Sequence, residues 1–173
     1  GFFSAMFRKL FGGENFFLGK YEHPDGGKLT FAPSIPGHVE HRQLTNNSLN
    51  IMAGGFLACT PGVNIKAKFG GLKALFSGEG AFLLEASGTG DLFFNSFGGI
   101  VEKQINGEFI VDTGHVVAFD PSLDYKITGM GSFKSTMLSG EGLVMRFTGN
   151  GKLYLQTRNV SSIASWLTPR LLG

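Results

Sequence analysis

Cysteine is nearly absent from this chain: Cys59 is the single one among 173 residues, so no internal disulfide can staple the fold and nothing points to an oxidising compartment. A dominant charge sign is missing too. Fifteen Lys and Arg against 13 Asp and Glu leave a net charge of +2, too near neutral to argue for nucleic acid from bulk electrostatics. Long hydrophobic runs do not occur. Apolar stretches break at Gly or a charge within several residues, short of the roughly 20 residues that a membrane-crossing helix needs. The segments Gly88-Thr89-Gly90 and Gly149-Asn150-Gly151 lack the Lys-Ser/Thr ending of a phosphate loop and introduce strands rather than a helix. What remains is a globular chain, cytoplasmic by default and without a transmembrane segment.

Glycine and phenylalanine are abundant instead. The apolar content of 42% with 18 Phe supplies a sizeable core. The 27 Gly have no collagen-like period and cluster where turns are expected. Above all, the chain repeats itself. Gly71-Leu72-Lys73-Ala74-Leu75-Phe76-Ser77-Gly78-Glu79-Gly80 returns, one residue longer, as Ser132 to Gly142, and an earlier copy ends at Glu14. The glutamates Glu14, Glu79 and Glu141 are 65 and 62 residues apart. Pro61 and Pro121 close two segments offset by 60 residues, and each is followed by an alternating strand, Val63 to Phe69 and Leu123 to Ile127. A glycine opens a last strand three times, at Gly27, Gly90 and Gly151.

These markers predict an all-β fold of three similar repeats of about 60 residues, each with a short helical turn. Phe3, Phe7, Leu10 and Phe11 form the apolar side of that turn in the first copy. The expected organisation is one β-rich domain over 1–173: the remainder of a truncated first repeat at 1–44, a second repeat at 45–105, a third at 106–160, and a short helix and tail at 161–173. Residue 1 reads as an internal cut, with roughly 40 to 50 residues expected upstream. In the tail, a serine near the N-cap, Ile163, Trp166 and Leu167 along one side, and Pro169 as terminator predict a helix. It is expected to pack over the open end of the β-structure, with a subunit contact as second reading.

Candidate sites are few. Phe109-Ile110-Val111-Asp112-Thr113-Gly114 resembles the loop of an aspartic protease, whose chemistry needs two carboxylates sharing a proton. The mate of Asp112 one repeat earlier is Met52, and His115 follows the glycine where such enzymes carry a small residue. Asp112 is therefore expected to serve a hairpin turn with Thr113-Gly114 at its tip, and His115, whose repeat mate is Gly55, to be exposed at that turn with a side chain the fold does not require. Glu14, Glu79 and Glu141 are the ionisable residues common to all three copies. They are expected to accept backbone N–H bonds in a recurring turn; the sharper alternative is a cation or amine site where the three converge. On a strand, His38 and Glu40 share one face and His41 the other, which argues against a metal site. Lys66, Lys68, Lys73, Lys126 and Lys134 read as solvated strand faces. Cys59 reads as a small buried hydrophobe. No catalytic residue, metal or cofactor is expected.

The runs Phe11-Gly12-Gly13-Glu14-Asn15-Phe16-Phe17, Phe31 to Gly37, Gly78 to Leu83, Gly99-Ile100-Val101 and Val111 to Asp120 resemble the altered-inheritance-of-mitochondria family, over essentially the whole chain. The resemblance implies a β-sandwich of three similar units, related in fold to the tryptophan RNA-binding attenuation protein. It also implies that mitochondrial members support inner-membrane organisation, while the bacterial and archaeal members are mostly of unknown function. The family brings no catalytic residues to carry over. The expected function is that of a non-enzymatic homo-oligomeric β-scaffold with protein partners. The alternative is single-stranded RNA binding by fold analogy, and small-molecule binding or aspartic-type hydrolysis comes third.

Overall fold

A computed structural model describes residues 9–11, 14–16, 18–69, 82–129 and 143–171. The chain divides into two compact units, Gly1–Phe31 and Ala32–Gly173. The first contains a hairpin of β1 (Lys9–Phe11) and β2 (Glu14–Phe16). The helical turn expected through Leu10 and Phe11 is thus a strand at those two residues. Gly12-Gly13 separates the two strands in sequence, a composition that favours hairpin connections and costs about 1 kcal/mol per glycine in a helix. The strand expected at Gly27–Phe31 is irregular. Among the described residues it takes part in no strand pairing, and its residues are exposed, so water can take up its backbone groups.

The second unit holds β3 (Val39–Met52), a 3-10 turn at Ala53–Gly55, β4 (Phe56–Cys59), β5 (Val63–Phe69) and β6 (Phe82–Asn95). The same order follows as β7 (Ile100–Asp112), a 3-10 turn at Thr113–His115, β8 (Val116–Phe119), β9 (Leu123–Gly129) and β10 (Leu143–Gln156), before helix α1 (Val160–Leu171). All named strand pairs are antiparallel. β6 carries β3 on one edge, with β4 and β5 end to end on the other. β10 likewise carries β7 on one edge and β8 with β9 on the other. β8 also pairs with β3, Phe119 opposite Asn50 and Ala118 opposite Ile51, and so joins both halves into one eight-stranded sheet. Positions 44/45 and 105/106 fall inside β3 and β7.

Alternation explains the strands. In β9, Leu123 is buried and Tyr125 and Ile127 half-buried, while Asp124 and Lys126 face water. A bulge at Asn46, with φ of 53°, adds one residue to β3. Consequently Val39 corresponds to Ile100, 61 residues on, whereas Met52 corresponds to Asp112, 60 residues on.

The glycine turns expected inside the last two strands of each copy are not turns: β6 and β10 run unbroken for 14 residues each. Their glycines serve close approach. Gly88 has φ of +124°, and a Cβ there would collide with the carbonyl of Gly62, to which Thr89 N–H donates at 3.1 Å. Gly149, with φ of +123°, would place a Cβ 2.8 Å from the carbonyl of Ser122. In both halves the tight turn before β5 or β9 presses its backbone onto the long strand, and only glycine leaves room.

Two clusters form the core. Leu44, Leu49, Ile51, Ala86, Leu92 and Phe94 make one, and Ile105, Leu123, Met145, Phe147 and Leu153 belong to the other. β8 feeds both: Val117 and Ala118 join the first, Val116 and Phe119 the second. α1 is capped by Asn159, whose Oδ1 accepts from Ser161 N–H at 2.9 Å, in place of the expected serine. It runs on through Pro169 to Leu171 and buries none of its residues. The expected packing over the β-structure is absent because both clusters draw their side chains from strands, and Trp166 remains 58% exposed.

Phe119→Ala should destabilise the protein by about 3–5 kcal/mol in urea titration. Cys59→Ala, at the corresponding position of β4, should cost less than about 1 kcal/mol because that strand is only half-buried.

Candidate functional site

The turn after β7 is built from its own side chains. Asp112 Oδ1 accepts from Gly114 N–H at 2.7 Å, an Asx turn that fixes the 3-10 segment. Thr113 is buried and donates through Oγ1 to the carbonyl of Leu143 at 3.0 Å. The ring of His115 meets the carbonyl of Gln156 through Nδ1 at 2.8 Å. Gln156 in turn donates through Nε2 to the carbonyl of Gly114 at 2.7 Å and accepts through Oε1 from Phe97 N–H at 2.9 Å. Asp112 therefore holds this corner, and His115, expected to be exposed and dispensable to the fold, is instead half-buried and bonded into it, because the carbonyl of Gln156 lies beside its ring.

Beside the corner lies a cavity of about 370 Å³. Met52, Asn95, Thr113, Val116, Val117 and Gln156 are among the lining residues, none of which is an acid, a base or a thiol. Proton transfer near neutral pH needs a group that titrates there, and amides and aliphatic side chains do not. Met52, the mate of Asp112, contributes a thioether where a paired carboxylate would be required.

Glu79 and Glu141 lie outside the described residues. Glu14 stands in β2 opposite Phe11. His38 Nε2 lies 3.4 Å from Glu40 Oε2 on one face of β3. His41 turns the other way, to Asp91 Oδ1 at 2.8 Å, and stacks on Phe93 with centroids 4.9 Å apart. Among the described residues no group of three His, Cys, Asp or Glu side chains could hold a metal ion. Lys68 is ion-paired with Glu85, and Lys66 stands opposite that glutamate in register. Lys126 faces Arg146, itself paired to Glu108 at 3.0 Å. Lys73 and Lys134 lie outside the described residues. Cys59 is half-buried, and burial pushes its thiol above the ordinary value.

The polar cluster that the sequence did not disclose sits where β3 meets β8. Arg42 Nη1 donates to the Tyr154 hydroxyl at 3.2 Å and lies 3.0 Å from Asp120 Oδ1. That oxygen makes no aligned hydrogen bond, so the Arg42 contact is chiefly Coulombic. Asp120 Oδ2 accepts from Lys152 N–H at 2.9 Å, and Lys152 Nζ reaches Glu102 at 2.7 Å. The Lys152 hydrogen bond lowers the Glu102 carboxyl pKa, and the same bond raises that of Lys152. Burial raises the Tyr154 phenol. Pro121 was visible as a corner, but Arg42 is 78 positions from Asp120 on another strand, and no spacing rule connects them.

A family model described as Mitochondrial biogenesis AIM24 matches residues 1–158. An uncharacterized protein of Streptococcus pyogenes serotype M6 is 33% identical over 166 residues, which cover 94% of this chain and 67% of that protein. A crystal structure of a Streptococcus pyogenes protein, solved as a structural genomics target, is similar with a TM-score of 0.71 and 31% identity. The similarity covers 80% of this chain and spans 62% of that one's length.

Two outcomes follow from the perturbed groups. The folded Glu102 carboxyl titrates below its ordinary value of 4.5, so its bond to Lys152 contributes stability that is complete above that value and is lost as pH falls through the folded one. Urea midpoints of wild type and Glu102→Gln should accordingly differ at pH 7 and converge under acid. Cys59, with its thiol raised, should alkylate more slowly at pH 8 than a cysteine peptide and reach the peptide rate once urea unfolds the chain, as read by mass spectrometry.

Proposed function

The chain belongs to the Mitochondrial biogenesis AIM24 family, and from that premise we propose that it is a non-enzymatic, oligomeric β-scaffold, a protein whose work is to present surfaces to copies of itself and to partner proteins. The observation that carries this reading is the use made of the polar side chains. Asp112 and His115, the candidates weighed for catalysis, hold with Gln156 the corner between β7, β8 and β10. Chemistry on a bound substrate requires groups left available to it.

The sequence expectation of a β-sandwich of three related units belongs to this proposal. Residues 39–95 and 100–156 support it by sharing one order of elements. Glu14 would mark the third. Nucleic-acid binding has less behind it, since Lys68 is neutralised by Glu85 and Arg146 by Glu108. Among the described residues no helix is long and apolar enough to cross a membrane.

Light scattering on the purified chain at micromolar concentration should give a mass that is a multiple of one chain. A strict monomer across the concentration range would overturn the scaffold. Tight, salt-dependent binding of single-stranded RNA would put the nucleic-acid reading in its place.

A further inference from the structure

The long strands β6 and β10 end on corresponding amides, and only one of the two is used by the fold. Both strands are 14 residues long, so Asn95 and Gln156 are equivalent last residues, and both line the cavity beside the corner. Gln156 is engaged: its Nε2 donates to the carbonyl of Gly114 and its Oε1 accepts from Phe97 N–H. Asn95 is 6% exposed, and no described residue hydrogen-bonds its side-chain amide. Asn50, also buried, has its amide oxygen closed off inside the sheet, whereas Asn95 stands on the cavity wall. A buried amide left unpaired costs about 1–3 kcal/mol, so this position favours an occupant that can bond to it.

The space beside Asn95 comes from the sequence. Where the second corner carries Asp112 and His115, the first carries Met52 and Gly55. The ring of His115 meets the carbonyl of Gln156. A Cβ on Gly55 would stand 3.5 Å from the carbonyl of Asn95, so glycine leaves room there that an imidazole fills beside Gln156. The lining residues lie within 35–161, all of them described and all in the unit Ala32–Gly173.

We propose that this cavity binds an uncharged small molecule with an apolar body and one amide or hydroxyl group, the polar group pairing with the side chain of Asn95. The body fits against Met52, Val116, Val117, Ile127 and Leu143. Charge is disfavoured by the walls. No Lys, Arg, His, Asp or Glu is among the lining residues, and an ion brought there would lose hydration without meeting a counter-charge. The volume of about 370 Å³ falls at the small end of ligand pockets, which run from roughly 300 to 1,000 Å³. Such a site goes beyond the scaffold reading and does not depend on it.

Hexanamide is the probe, with hexanoate and hexylamine as charged counterparts of equal chain length. In heteronuclear NMR of the isotope-labelled chain, hexanamide should give saturable shifts at the Asn95 side-chain amide and at Gly54 and Gly55. Hexanoate and hexylamine should bind more than about tenfold more weakly. Asn95→Ala should weaken hexanamide binding by about tenfold, the loss of one hydrogen bond. Gly54→Leu should abolish binding with the thermal midpoint little changed, because Gly54 lines the cavity and a Cβ there meets no atom within 4 Å. Should that variant lose its fold, the Asn95→Ala and charged-probe comparisons decide alone. Shifts that are absent, do not saturate or centre on other residues would overturn the site and leave the Asn95 amide to water. Equal binding by the charged probes, or undiminished binding by Asn95→Ala, would overturn it too. The mass in light scattering, which tests the scaffold, is independent of every one of these results.

Discussion

β8 is four residues long, and the fold of residues 32–173 depends on where it lies. Its backbone is bonded to β3 on one side and β10 on the other. Its side chains enter both hydrophobic clusters, Val117 and Ala118 one and Val116 and Phe119 the other. Fully burying a residue such as Phe119 contributes about 1.5–3 kcal/mol, and it packs edge-on to Phe147 with centroids 5.0 Å apart. Neither half of the sheet therefore completes its core without this strand. The ionic group of Arg42, Asp120 and Tyr154 sits at the same join, and its partly buried charges are satisfied only when β3 and the turn after β8 are in place.

The corner preceding β8 is held as firmly as the strand. Asp112 and Gln156 both bond to the backbone of Gly114, and His115 returns to the carbonyl of Gln156. A carboxylate, an imidazole and an amide within one corner would suggest chemistry to a reader of motifs. Here they are spent on orientation, and the adjoining cavity offers amides, hydroxyls and aliphatic groups.

The two halves also show how one sequence pattern can be satisfied to different degrees. β4 and β8 have equal length and equivalent place, yet one is half-buried and the other fully buried. The difference does not lie in the strands themselves, since Phe56 and Leu57 are as apolar as Val116 and Val117. It lies in the neighbour: β8 has β3 beside it, and β4 has no counterpart among the described residues of 32–173.

Alternation in Val63–Phe69 and Leu123–Gly129, the proline-marked corners and the recurring offset of about 60 residues were enough to specify strands, turns and the all-β class, because side-chain period and turn chemistry are local properties of the chain. Asp112 as a turn residue was legible for the same reason. The glycines of β6 and β10 were misread as turns, since the same residue permits a turn and a close backbone approach, and only the position of Gly62 and Ser122 against them separates the two. The Arg42–Asp120 contact, the sharing of β8 between two cores and the exposure of α1 were beyond reach of the sequence. Each depends on which distant segments lie side by side, a matter decided by the packing of the whole sheet and not by any short run of residues.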